Sequence, residues 1–288
     1  MKYKKMIGLL VILATVACVR EKDVLTHNLQ VCYSVCPYQD GLLIANWGTD
    51  SINPLNSEGK GYIAFHKEGV TSILIPADGT LSAPKGMAVK DDCLFVADVN
   101  KLVIYNLKQS SETPQIIEFP EDNVWVNDVE IVGNVLLASV TNTGNIYALD
   151  ISNPAQIDAA SLAIYAVVPG ASALLISDYH LFIGSFAVDG VPKEANVIYM
   201  IDDLSNPVAQ PITHRIGQYE GLAMSVDGES LYFTDNYEGV LGKLIFATGE
   251  IELVPTQMVL TNPAEIHWYQ GKLCIPDVAT SIVWMLQL

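Results

Sequence analysis

The chain has 288 residues, is 50% hydrophobic, and carries a formal charge of −17 at neutral pH. A body this acidic repels phosphate backbones and anionic head groups, which excludes nucleic-acid binding. The apolar content is ample for a large core, and its arrangement in short runs suits strands better than long helices.

Residues 1–17 read as an export signal. Lys2, Lys4 and Lys5 give a basic start, and the stretch from Met6 to Ala17 is an unbroken run of apolar or small residues. That run is short of the ~20 residues needed to span a bilayer as a helix. It ends at Thr15-Val16-Ala17-Cys18, which resembles the lipobox of bacterial lipoproteins, with Thr15 where Leu is usual. The resemblance implies cleavage before Cys18 and acylation of that cysteine. The expected organisation is a signal peptide over 1–17, an anchor linker over 18–23, and one domain over 24–288. The product would be exported and held at a cell-envelope membrane through its lipid alone. Loss of the three signal lysines takes the charge from −17 to −20.

Four further cysteines follow. Cys32 and Cys36 share one predicted strand, where four residues at ~3.3 Å rise separate them by ~13 Å. A disulfide tolerates a Cα separation of only ~4.4–6.8 Å. Cys93 and Cys274 lie in apolar strand patterns and read as small core residues.

One pattern then recurs along the chain: a short apolar strand, a turn, and a strand of three apolar residues, a small one and Asp, Asn or Ser. Its copies begin at Leu42, Leu94, Val135, Leu181, Leu231 and Leu273, at spacings of 52, 41, 46, 50 and 42 residues. Third strands follow over 61–66, 102–107, 145–151, 197–201, 241–246 and 281–286. Fourth strands are clearest over 70–75, 115–119 and 250–254. This period suits one four-stranded blade per copy, hence an all-β, six-bladed β-propeller. A solenoid has shorter and more uniform repeats and needs no closing strand. The sixth copy ends before a fourth strand, and Val24 to Val31 precedes the first copy unpaired. That N-terminal strand is expected to complete the last blade and close the ring, removing exposed edges.

Within the fifth copy, the stretch from Glu220 through Asp235 (EGLAMSVDGESLYFTD) resembles the blade signature of regucalcin/gluconolactonase-like propellers and their NHL-repeat relatives. Pro84 to Val89 and Asn127-Asp128-Val129 are weaker versions. The resemblance implies a divalent cation, calcium or zinc, on the axis, and lactone hydrolysis with a carboxylate activating water. Its ligands would come from innermost-strand starts. Here Asn127 and Glu220 match as metal ligands, with Glu220 and Asp128 as the catalytic carboxylates if the chain is a lactonase. The first blade offers Tyr33-Ser34 without a carboxylate, the fourth Ser172 in place of Asn, and the second Lys85, which could pair with Glu220.

Innermost-strand starts and second-to-third loops open on one face of a propeller, where ligands usually bind. Asn46, Trp47, Lys85, Trp125, Asn127, Tyr219, Glu220, Asn236 and Glu265 are expected at that mouth. Aromatic groups beside amides and carboxylates suit a carbohydrate or another polar organic molecule. Trp125 and Tyr219 read equally as wedges between blades, and Asn127 as a backbone partner where its strand begins. Asp98, Asp235 and Asp277 recur at one repeat position, which marks them as architectural acceptors of loop N–H groups. The five histidines, His27, His66, His180, His214 and His267, show no paired spacing. His267 is expected to sit in the core or in a wedge, and the stretch from Asn46 to Gly61 to form a lid or contact loop. No nucleophile elbow or phosphate-binding loop occurs. Two functions therefore stand: a ligand-binding or protein-interaction propeller of the cell envelope, and a metal-dependent lactonase or esterase.

Overall fold

The computed structural model describes residues 24–109 and 112–288. The expected signal peptide, Cys18 and the linker lie outside the described residues. Six four-stranded antiparallel sheets follow one another around an axis as the blades of a propeller. The innermost strands are Cys32–Tyr38, Pro84–Lys90, Val126–Val132, Ala171–Ser177, Tyr219–Met224 and His267–Tyr269. The second strands, Gly41–Asn46, Cys93–Asp98, Val135–Val140, His180–Ser185, Ser230–Asp235 and Lys272–Asp277, coincide with the recurring apolar motif. Gly41–Asn46 and Cys93–Asp98 are buried along their whole length, because each lies between two neighbouring sheets. This is why the motif reads as continuously apolar rather than alternating.

The last blade is built from both ends of the chain. Val24–Leu25 pairs antiparallel with Ile282–Leu286, in the register Val24 to Trp284 and Leu25 to Val283. The closing strand is shorter than the sequence suggests. The backbone turns away after Leu25, with Asn28 and Val31 at φ of 57° and 54°, and crosses the loop face to blade one. It is held there by Trp47 N–H to Val31 O at 3.1 Å and Val31 N–H to Ser281 Oγ at 2.8 Å.

Cys32 and Cys36 share one strand as expected, and all four described cysteines are buried free thiols. Among the described residues, no helix is long and apolar enough to cross a membrane.

One feature of the innermost strands positions the site. In blades two, three and four the first four residues are buried and the last three only partly so. The axis is therefore packed shut at the loop face and widens toward the hairpin turns.

Candidate functional site

Each of the first five innermost strands begins with a β-bulge. The pairing register shifts between Cys32 and Ser34, Pro84 and Met87, Val126 and Val129, Ala171 and Leu174, and Tyr219 and Gly221. A bulge re-aims the extra side chain. The residues so placed are Tyr33, Lys85, Asn127, Ser172 and Glu220, and all are buried.

Four of them bond to one another across four blades. Glu220 Oε2 accepts from the Tyr33 hydroxyl at 2.6 Å, Ser172 Oγ at 2.9 Å and Asn127 Nδ2 at 3.2 Å. Asn127 Nδ2 also donates to Ser172 Oγ at 2.8 Å, while its Oδ1 accepts from Trp125 Nε1 at 3.2 Å. Tyr33 Oη lies 3.0 Å from that same Oδ1. Tyrosine carries one hydroxyl proton, and the shorter, charge-assisted contact to Glu220 claims it.

Burial raises the Glu220 pKa, and the bonds from Tyr33, Ser172 and Asn127 with the charge of Lys85 oppose that rise. Burial and the Glu220 charge hold the Tyr33 phenol well above its ordinary value. Lys85 donates to Ala83 O at 3.1 Å, lies 6.0 Å from the centre of the Trp47 ring, and is lowered by burial to about 8. The expected Lys85–Glu220 ion pair does not form as a contact; the two interact through space. The short loop behind Lys85 turns its ammonium back onto Ala83.

The ring does not fit the divalent cation that the resemblance implies. A hard cation needs several oxygen lone pairs directed at one point. Here one carboxylate oxygen receives three donors, an amide N–H points inward, and a lysine occupies the second blade's place. Among the described residues no group of three His, Cys, Asp or Glu side chains converges as metal ligands.

Asp128 is not at the mouth either. Its Oδ1 accepts from Val129 N at 2.7 Å and its Oδ2 from Leu174 N at 2.6 Å, tying blade three to blade four. It packs against blade two at Gly86, where a Cβ would meet Oδ1 at 2.2 Å. That contact is why glycine stands there.

The remaining candidates separate. Trp47 is buried, stacked on Tyr33 with ring centres 5.5 Å apart, and donates to Pro84 O. Trp125 is half-buried above Asn127, its ring 5.8 Å from Phe186. Asn46 is buried and structural, accepting from Gln30 N and donating to Ile44 O. Tyr219 is a wedge, its ring 5.2 Å from Phe233 and its hydroxyl donating to Arg215 O at 2.6 Å. Asn236 ties loops at the rim through Pro263 O. Glu265 lies just before its innermost strand, His267–Tyr269, and lines a cavity at the opposite, hairpin end. His267 is exposed and lines the same cavity, not the core or a wedge.

Asp98, Asp235 and Asp277 behave alike. Asp98 accepts from Ser82 N and Ala83 N, Asp235 from Gln218 N and Glu238 N, and Asp277 from Thr261 N and Thr280 N. Tyr33 and Ser172, absent from the sequence-derived candidates, prove to be ring members. Both stand at the ring position of their repeat copies, but neither carries the charge that draws attention in a sequence. Glu130 was also missed; its signal is its place two residues beyond Asp128 on the same strand.

No family model and no curated protein matches the chain. Solved structures do. A structural-genomics protein of unknown function from Bacteroides thetaiotaomicron matches at a TM-score of 0.63 and 12% identity, over 89% of this chain and 69% of that one. A chain from a nidogen/laminin complex matches at 0.60 and 12%, over 80% and 90%. The computationally designed protein Ika8 matches at 0.51 and 10%, over 88% and 83%. At such identities the likeness establishes the propeller fold alone.

Proposed function

We propose that this protein is a non-catalytic recognition propeller, exported and tethered through Cys18 to a cell-envelope membrane, whose loop face docks another envelope protein. The observation that carries this reading is the self-satisfied axial ring. Glu220 Oε2, Asn127, Ser172 and Tyr33 bond to one another, beneath Trp47 and Trp125. Their hydroxyl and amide protons are all engaged within the ring, and among the described residues only Glu220 Oε1 receives no donor from the protein. The aromatic rings that would stack on a sugar are largely built into the wall.

Around this plug the loops of the same face expose Ile52, Leu55, Val188, Val191, Tyr237 and Val259. Apolar side chains exposed on the loops of one face suit an interaction surface better than a small-ligand cleft. One of the solved neighbours comes from a protein–protein assembly, which agrees in direction while supporting only the fold.

A photo-crosslinking amino acid at Tyr237 or Val191 should capture a discrete envelope protein, whereas one at Ile116 on an outer strand should not. Equal labelling from both positions would remove the support. Calcium- or zinc-dependent hydrolysis of aldonolactones, abolished by Glu220→Gln and by Asn127→Ala, would replace this reading with the lactonase.

A further inference from the structure

The hairpin end of the axis holds a cavity of about 290 Å³ between the lower halves of the innermost strands. It lies at the other end of the axis from the loop face, so what it binds is independent of the reading above. Met87, Leu174, Leu222 and Ile266 give it apolar walls, and Asp128, Glu130 and Glu265 are the carboxylates that line it. Among the described residues none of these three carboxylates takes part in an ion pair with a side chain of the protein.

The three differ in one respect. Asp128 accepts two backbone N–H groups, and Glu130 meets Ile131 N at 3.2 Å and Ile176 N at 3.4 Å. Glu265 accepts nothing from the described chain. It is half-buried, the surface it retains lines the cavity, and burial together with the neighbouring charges of Asp128, Glu130 and Glu220 acts against its ionisation. Asp128, Glu130 and Glu220, by contrast, each accept at least two hydrogen bonds from the protein. A half-buried carboxylate with no donor from the protein takes its hydrogen bonds from water or from a ligand that enters the cavity.

The chemistry of the walls narrows what that is. A bare metal ion lacks a converging ligand set here, and a hydrated one gains nothing from apolar walls. The volume lies at or below the lower end of the ~300–1,000 Å³ typical of small-molecule sites. We infer that this cavity is a binding site for a primary ammonium group on a compact apolar body, with Glu265 as the anchoring carboxylate and the walls of Met87, Leu174 and Leu222 receiving the apolar part. The ammonium comes either from a free organic amine or from a lysine side chain of a partner.

Calorimetric titration of the mature protein at pH 8 with benzylamine, benzyl alcohol and an acetylated, amidated Gly-Lys-Gly peptide tests this. Benzylamine or the peptide should bind at one per chain. Glu265→Gln should weaken that binding at least ~tenfold, as expected for loss of a charge-assisted hydrogen bond. Benzyl alcohol should bind far more weakly. Binding of the peptide alone would assign the source to a partner protein. Should Glu265→Gln fail to fold, the methyl resonance of Met87 in the unaltered protein reads occupancy directly, and it should shift with benzylamine or the peptide but not with the alcohol. The inference is overturned if neither ammonium binds, if the alcohol binds as well, or if Glu265→Gln binds unchanged.

Discussion

The aspartate at the end of the second strand is the residue-scale device that repeats best. Asp98 is buried, receives Ala83 N at 2.6 Å and Ser82 N at 3.1 Å, and has Lys101 at 3.7 Å. The loop leading into the innermost strand of the same blade, Pro84–Lys90, is thereby clamped to the strand beside it. Asp98→Ala would leave two backbone donors without a partner and two lysines, Lys85 and Lys101, without their nearest negative charge. Removal of a buried charged acceptor costs about 2–4 kcal/mol. Urea unfolding of Asp98→Ala should show that loss with an unchanged slope, and Asp98→Asn a smaller one, since the amide oxygen still accepts. This role was legible in the repeat pattern, because a feature shared by three blades serves the framework rather than one ligand. The role of Ser172 was not, because a serine reveals its hydrogen bonds only when its neighbours are known.

Among the elements, the closing strand matters out of proportion to its length. Val24–Leu25 covers the edge of Ile282–Leu286, and Leu25 is buried in a cluster with Cys274, Val283 and Met285. Leu25→Asp would place a charge in that cluster and free the edge. The expected cost is about 3 kcal/mol, a Tm lower by about 6–10 °C. The uncovered strand should also invite edge pairing, seen as concentration-dependent dimers in light scattering after size exclusion. A monomer with unchanged Tm would show that the ring closes without this strand. Its existence was foreseeable from the missing fourth strand of the last copy. Its shortness was not, since the turn after Leu25 answers to the distance between the last blade and the first. The fourth strand of blade four, Gln210–Pro211, likewise has no local signature, because pairing alone defines it.

At the scale of the whole molecule, the axis concentrates buried acid. Burial lifts Glu130 from its ordinary 4.5 to about 7, and Asp128, Glu220, Glu265 and Asp98 shift in the same direction for the same first cause. A carboxyl with a raised pKa binds its proton more tightly folded than unfolded. Its contribution is fully present below the unfolded value and is lost as pH climbs through the folded one. Lys85, lowered to about 8, has the opposite sign, but its effect begins only above that value. The urea midpoint should therefore fall between pH 5.5 and pH 8.0, and Glu130→Gln should flatten the decline. A midpoint that stays level over that interval would show that these carboxyls titrate in the folded state as they do in the unfolded chain.

The periodic apolar runs by themselves determined the blade count, the strand order within each blade and the closure of the ring. Those features depend on backbone pairing and on burial between sheets, which leave a repeating trace in every copy. The alignment of copies also indicated which five residues share one layer. Whether that layer is an open mouth or a plug was decided only in three dimensions. It depends on how far a tyrosine from blade one reaches toward a glutamate from blade five, and no spacing along the chain encodes that distance. Glu265 makes the same point in reverse: it stands just before the innermost strand His267–Tyr269, and only the folded ring shows its carboxylate lining the cavity at the other end of the axis.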